Sequence, residues 1–190
     1  MLRPLPVTLI IPHQMRDNKF FYDVLVKNTV NTLYEEVMHM DTIIYKKLEA
    51  SDIEAFITMR MTQLQEEGAD AAFNLAPALR LYYEKHFTDG TFVSWVAEAN
   101  GQIIATSGMS FVERPPTYTN PTGQTGVLSS MYTAKAYRRQ GIAKALLTRI
   151  VDEARAYGCG DVWITAADAG VPVYEAFGFV KHENFRRYVL

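Results

Sequence analysis

The chain has little of what several protein classes depend on. There is one cysteine, Cys159, in 190 residues, so no internal disulfide can form. One cysteine and four scattered histidines give no zinc-ligand spacing, and no resident metal is expected. Cys159 lies between two glycines just past a helix end and reads as a small, half-buried side chain. No apolar run approaches the ~20 residues of a membrane-spanning helix. The proline-bounded segment 5–12 is too short for a secretory core and no small-residue cleavage site follows it. The default expectation is a cytoplasmic protein with no membrane partner. Nor is there a charge excess: charged residues make up 21% and the formal net charge is −2, which argues against a nucleic-acid binder relying on bulk positive charge.

What the chain does have is apolar and aromatic material, 48% and 12% of its residues, enough for one well-packed α/β or α+β domain. Residues 1–40 read as an extension: prolines punctuate the start, and apolar residues at near-helical spacing predict an amphipathic helix over about 18–38. It can pack on the main domain or on a second subunit, so a homodimer is compatible with it. Met40 is an alternative natural start. The main domain is expected over 41–190.

Within that domain the patterns alternate. Residues 43–48 read as a strand, and Ser51-Asp52-Ile53-Glu54 as a capping box opening a helix. A second helix is expected over 75–87. Residues 92–98 and 103–111 are strands about an Asn100-Gly101 hairpin turn. Residues 113–126 form a long loop, read as the rim of an acceptor site. A strand is expected over 127–133, then the strongest amphipathic helix of the chain over 142–157, a buried strand over 161–166, a short helix near 171–177 and a last strand over 185–190.

The segment between the 127–133 strand and the long helix carries the most chemistry. Arg138-Arg139-Gln140-Gly141-Ile142-Ala143-Lys144 places a basic pair and a glycine at a helix start. Glycine lets the backbone approach a ligand, and a helix start offers unpaired N–H groups at the positive end of the dipole. Basic side chains are mildly disfavoured there unless an anion is present. The stretch reads as a pyrophosphate site.

Three segments resemble the GNAT superfamily of acyl-CoA-dependent N-acetyltransferases. Arg138-Arg139-Gln140-Gly141-Ile142-Ala143 fits its Q/R-x-x-G-x-G/A pattern, between a strand and a helix. The run from Ala166 through Tyr174-Glu175-Ala176-Phe177-Gly178-Phe179 resembles its late small-residue loop and Tyr-Glu-x-x-Gly-Phe segment. Met131-Tyr132-Thr133 resembles its signature strand end. Nothing in 1–40 matches.

The resemblance implies an α/β (α+β) fold: a mixed, mostly antiparallel sheet of six or seven strands, flanked by helices and splayed between the fourth and fifth. Acetyl-CoA would enter the splay as cosubstrate. Met131, Tyr132 and Thr133 would meet its pantetheine arm, and the amides of Arg139, Gln140, Gly141, Ile142, Ala143 and Lys144 its diphosphate. Arg138, Arg139 and Lys144 would add positive charge, and Asp168 would lie in the later coenzyme-contacting loop. Tyr174 matches the family tyrosine facing the coenzyme sulfur and is the candidate general acid. The amide near Met131–Tyr132 is the candidate oxyanion donor.

No general base is evident. Glu113 is one candidate and Glu98 another. Ser130 stands where relatives often carry asparagine and is a candidate contact to acceptor or water. Arg60 is read as a side chain that reaches solvent or lines the acceptor site, the first preferred, and His86 as a packed histidine rather than a catalytic one. The implied reaction is direct transfer of an acetyl group, in a ternary complex, to a primary amine of a small molecule or peptide. The alternative is a non-catalytic CoA- or acyl-CoA-binding regulatory module of the same fold.

Overall fold

A computed structural model describes residues 42–70, 72–182 and 186–188. The expected helix over 18–38 and the Met40 start lie outside them. A compact unit begins at Ile43. Its elements run β1 (Ile44–Lys47), α1 (Ile53–Glu66), α2 (Ala76–Thr88), β2 (Phe92–Ala99), β3 (Gln102–Glu113), β4 (Gln124–Thr133), α3 (Ile142–Tyr157), β5 (Asp161–Ile164) and α4 (Val171–Phe177). The described residues form one five-stranded sheet in the order β1-β2-β3-β4-β5, against the six or seven strands expected. Half of the last expected strand, 185 and 189–190, lies outside the described residues, and 186–188 form no strand.

The first three pairings are antiparallel and the fourth, β4 with β5, is parallel. That last pairing covers only Thr125↔Asp161 through Leu128↔Ile164. Beyond Leu128, β4 continues to Thr133 with β3 on one side and no partner in β5 on the other. The two strands therefore part halfway along β4, where the splay was expected.

Strand alternation assigns the two faces of the sheet. One face packs on α3, where Leu146, Leu147 and Ile150 are fully buried, each worth about 1.5–3 kcal/mol by burial. Met109, Leu128, Val162 and Ile164 share that cluster. The opposite face carries Phe92, against which Phe56 of α1 and Tyr83 of α2 pack edge-on or tilted. The same row continues through Ser110, Val127 and Trp163.

The capping box sits differently from the reading at Ser51. The carboxylate of Asp52 accepts the Glu49 amide at 3.2 Å, and Glu54 instead forms a bidentate pair with Arg80 of α2 at 2.5 and 2.7 Å. A short 3-10 turn, Ala50–Asp52, takes the place of the first helical turn.

Candidate functional site

The parted end of β4 is irregular. Ser129 pairs with Gly108 and Tyr132 with Thr106, so Ser130 and Met131 together oppose Ser107. This is a β-bulge, and Ser130 sits in it with φ 52°, a left-handed backbone that a non-glycine residue rarely adopts. Ser130 is 2% exposed. Its carbonyl accepts the Thr106 hydroxyl at 2.7 Å, and its own hydroxyl lies 3.3 Å from that of Tyr83. The bulge turns Ser130 toward α2 while Met131 packs into the clusters beneath α3.

Beyond the bulge, alternate backbone groups of β4 face away from β3. The Ala134 amide bonds back to Ile104, which leaves the carbonyls of Met131 and Thr133 on the free side. Both are met by side chains: Gln63 Nε2 of α1 donates to the Met131 carbonyl at 3.3 Å, and Arg138 Nε donates to the Thr133 carbonyl at 2.9 Å. The free edge thus presents polar groups in strand-like spacing.

The chain then passes a 3-10 turn, Lys135–Tyr137, and enters α3 through two left-handed residues, Arg139 (φ 67°) and Gly141 (φ 78°). A Cβ on Gly141 would meet nothing within 4 Å, so glycine is needed there for its backbone and not for room. The first helical bond is Ala145 to Gly141 at 3.0 Å, and no side chain caps the helix. The N–H groups of Ile142, Ala143 and Lys144 therefore lack intrahelical acceptors and face outward with the positive helix end. Gln140 and Lys144 are exposed around them.

Arg138 departs from the expected role. Its guanidinium pairs with Glu66 of α1 at 2.7 Å as well as with Thr133, and lies over the Tyr132 ring. Tyr132 also donates to Glu66, at 2.9 Å. Arg138, then Tyr132, hold the Glu66 carboxyl below the usual carboxylate range. Arg138 fastens the end of β4 to α1, which leaves Arg139 and Lys144 as the cations beside the helix start with no ion pair among the described residues.

Tyr174, in α4, is 8% exposed and packs with Leu147, Ile150 and Leu128. Its hydroxyl has no hydrogen-bond partner among the described residues. Burial, then the nearby Glu67 charge, push it up to about 12. It keeps its proton throughout the neutral range. Asp168 is exposed on the turn before α4, its carbonyl accepting the Val171 amide at 3.3 Å.

The two carboxylates read as base candidates are elsewhere. Glu113 pairs with Gln124 at the opposite end of β4, about 20 Å from Ser130 at ~3.3 Å per residue. It also shares the strand face of Phe111, which stacks on Tyr157 of α3. Glu98 belongs to β2 and is ion-paired with Lys46 of β1 at 3.0 Å. Neither can reach the bulge. Cys159 is half-buried and burial raises its thiol. His86 is packed, its Nδ1 2.6 Å from the Thr91 hydroxyl.

The residue missed in the sequence is Tyr83. It looks like one of three ring-bearing residues on a helix face, yet it is the one whose hydroxyl meets Ser130, and burial raises its phenol. Arg60, expected to reach solvent, is half-buried instead, donating to Gln63 at 2.9 Å with its charge acting on Tyr83. No group of three or more metal-ligating side chains comes together among the described residues.

Comparison with known proteins agrees with this geometry. Residues 55–179 match the profile of the Acetyltransferase (GNAT) family. A predicted acetyltransferase from Clostridium acetobutylicum, solved with acetyl-CoA, is 34% identical with a TM-score of 0.76, covering 78% of this chain and 96% of that one. The probable N-acetyltransferase family 8 member 5 of Mus musculus is 32% identical over 112 residues, 57% of this chain and 45% of that protein. N-acetyltransferase 8 of Rattus norvegicus is 35% identical over 91 residues, 46% of this chain and 39% of its own. The aligned region thus spans less than half of these curated relatives. Glucosamine-6-phosphate N-acetyltransferase of Arabidopsis thaliana shares the fold at 20% identity and a TM-score of 0.62. On the length of its profile match and the parted fourth and fifth strands, the chain belongs to the GNAT family of acetyltransferases.

Proposed function

We propose that this chain transfers an acetyl group from acetyl-CoA to a primary amine of a small molecule or peptide, directly and within a ternary complex. The observation that carries the reading is the free edge of β4 running from the Ser130 bulge into the uncapped start of α3. An extended amide-bearing arm pairs with such an edge as an added strand would, and a diphosphate suits the open N–H groups beyond it. Acetyl-CoA supplies the acetyl group as an activated thioester.

The chain's own groups then divide the work. Met131 and Thr133 orient the pantetheine arm once Gln63 and Arg138 yield their carbonyls. The turn at Arg139–Lys144 holds the diphosphate, with Arg139 and Lys144 adding charge. Of the amides near Met131–Tyr132, the Met131 N–H, on the side of the strand away from β3, is the oxyanion donor. Tyr174, protonated at neutral pH, is the proton donor to the leaving sulfur. Ser130, held by Tyr83, meets the acceptor or its water. Asp168 borders the coenzyme loop. With Glu113 and Glu98 out of reach, proton loss from the amine falls to ordered water, and positioning supplies most of the acceleration.

Purified protein incubated with acetyl-CoA and a panel of primary amines should release free thiol with at least one of them, and calorimetry should show heat with CoA alone. Heat without thiol release from any amine would favour the non-catalytic CoA-binding module.

A further inference from the structure

On the sheet face opposite α3, α1 and α2 reach β4 only at its Ser130–Tyr132 end. Tyr82 of α2 reaches Ser110 at 2.8 Å. Toward the Gln124 end of β4 and over β5 no helix contact is seen on this face among the described residues, and Val112 and Val127 are 40% and 38% exposed. From the Ser130 bulge a strip descends this face, across the exposed Val127 and beside Trp163, whose ring stacks with His182 at 5.5 Å, to a pocket of about 350 Å³ between the 114–123 loop and the start of β5.

The pocket has a built floor. Asn120, 7% exposed, donates from Nδ2 to the Gln124 carbonyl at 3.0 Å and to Asp161 Oδ1 at 3.1 Å. Asp161 also accepts from Thr125 at 2.7 Å and from the Trp163 indole at 2.9 Å. Both its oxygens are therefore engaged in holding the walls. Above them the Arg114 guanidinium lies 4.6 Å over the Trp163 ring. Arg114 is exposed, and its side chain has no carboxylate within ion-pair distance and no hydrogen-bond acceptor among the described residues. Five N–H donors in a fixed fork are left facing the pocket mouth.

We infer that this strip is the acceptor site and that Arg114, held over the Trp163 ring, receives an anionic group at the far end of the amine substrate. The inference rests on the acyl-transfer reading of β4. A guanidinium held over an indole by a cation–π contact is partly pre-oriented, so less freedom is lost when it forms a bidentate pair with a carboxylate or phosphate. The acceptor is then an elongated amine. Its nitrogen lies at the bulge, its apolar middle on Val127 and Val112, and its anionic end at Arg114. Four residues of β4 separate Met131 from the Trp163 row at Val127, about 13 Å.

The test uses the full chain, acetyl-CoA and graded series of ω-amino carboxylates, ω-amino alkyl phosphates and uncharged alkylamines of equal length. In the wild-type protein kcat/KM should favour one anionic series over the alkylamines once the chain spans the strip. Arg114→Gln should narrow that ratio about five- to tenfold, with Arg114→Lys restoring part of it. Binding is read separately, without turnover, by titrating the N-acetylated ω-amino acids against tryptophan fluorescence. The response should saturate, weaken in Arg114→Gln and vanish in Trp163→Phe. Thiol release without anion preference, or a ratio that Arg114→Gln leaves unchanged, overturns the anion site while the acyl-transfer reading stands. Saturable, Arg114-dependent fluorescence without thiol release from any amine leaves the anion site standing and overturns the transferase reading.

Discussion

The hydroxyls of Tyr83 and Ser130, on α2 and in the β4 bulge, lie 3.3 Å apart in a buried contact. This contact joins a helix to a backbone position whose left-handed φ costs roughly 1–2 kcal/mol. It holds the strand at the bulge, next to the Met131 N–H that the proposed reaction uses as oxyanion donor. Tyr83→Phe should lower stability by about 1 kcal/mol, the usual net value of one hydrogen bond, measured by urea unfolding. In the proposed reaction it should reduce kcat about tenfold, equivalent to ~1.4 kcal/mol in the barrier. The KM for acetyl-CoA should change little, because most of the proposed coenzyme contacts, Thr133 and the 139–144 turn, lie beyond the bulge. A change confined to KM would argue that Tyr83 plays no part in shaping the bulge.

A second prediction concerns Gly141. Alanine there meets no neighbour, so the substitution isolates the backbone. Gly141→Ala should cost roughly 1–2 kcal/mol by forcing an alanine into φ 78° or shifting the turn. CoA affinity by calorimetry should fall more steeply than stability by thermal unfolding. Equal affinity in the variant would mean that the turn does not hold the diphosphate.

Gly160 is the opposite case. Its backbone is ordinary, but an added Cβ would stand 2.2 Å from Asn120 Oδ1 in the floor of the pocket. Gly160→Ala should overpack the site by about 1–3 kcal/mol and lower the midpoint of thermal unfolding. An unchanged midpoint would show that Asn120 is not fixed there.

Glu66→Gln tests the tie across the end of β4. Glutamine removes the charge that holds Arg138 and leaves that guanidinium free to turn toward the helix start. The KM for acetyl-CoA should fall severalfold, most clearly at low ionic strength. Because pairing holds the Glu66 carboxyl low, whatever stability it contributes is present above its unfolded pKa and lost as pH falls through the folded one, below the usual carboxylate range. The variant should lack that acid component.

Tyr174 gives the alkaline counterpart. Its phenol is raised to about 12, so the folded chain keeps a proton that the unfolded chain releases near pH ~10. Stability is unaffected below pH ~10 and declines from there toward pH ~12, by at most roughly 2–3 kcal/mol. Tyr174→Phe should flatten this decline in urea unfolding at pH 9 to 11 and, in the proposed mechanism, reduce thiol release while CoA affinity is kept.

Much of this architecture was legible from local pattern. The α3 boundaries follow from apolar spacing and the glycines that bracket it, and the turn at 138–144 from residue types alone. The parting of β4 from β5 came through the family likeness, since no spacing in 127–133 records where a neighbouring strand stops. Long-range pairing decided the rest. Glu113 stands in sequence beside a loop, but only the register with Gln124 shows it to be at the wrong end of β4 and on the wrong face. Glu98 was freed of any catalytic reading by a cross-strand lysine. The bulge at Ser130 leaves no trace in the residue types, so neither it nor the Tyr83 contact could be anticipated. The loop after Glu113 stood out by composition, whereas the pairing of Arg114 with Trp163 joins residues 49 positions apart.

The uncapped start of α3 has one more consequence. Like the first donors of any helix, the N–H groups of Ile142, Ala143 and Lys144 have no internal acceptor, and no side chain caps them. In the proposed function the coenzyme completes them, so part of the stability of the fold would be supplied by a metabolite. A chain saturated at 100 times the dissociation constant gains about 2.7 kcal/mol against unfolding. Its lifetime in the cell would then rise and fall with the coenzyme pool it draws on.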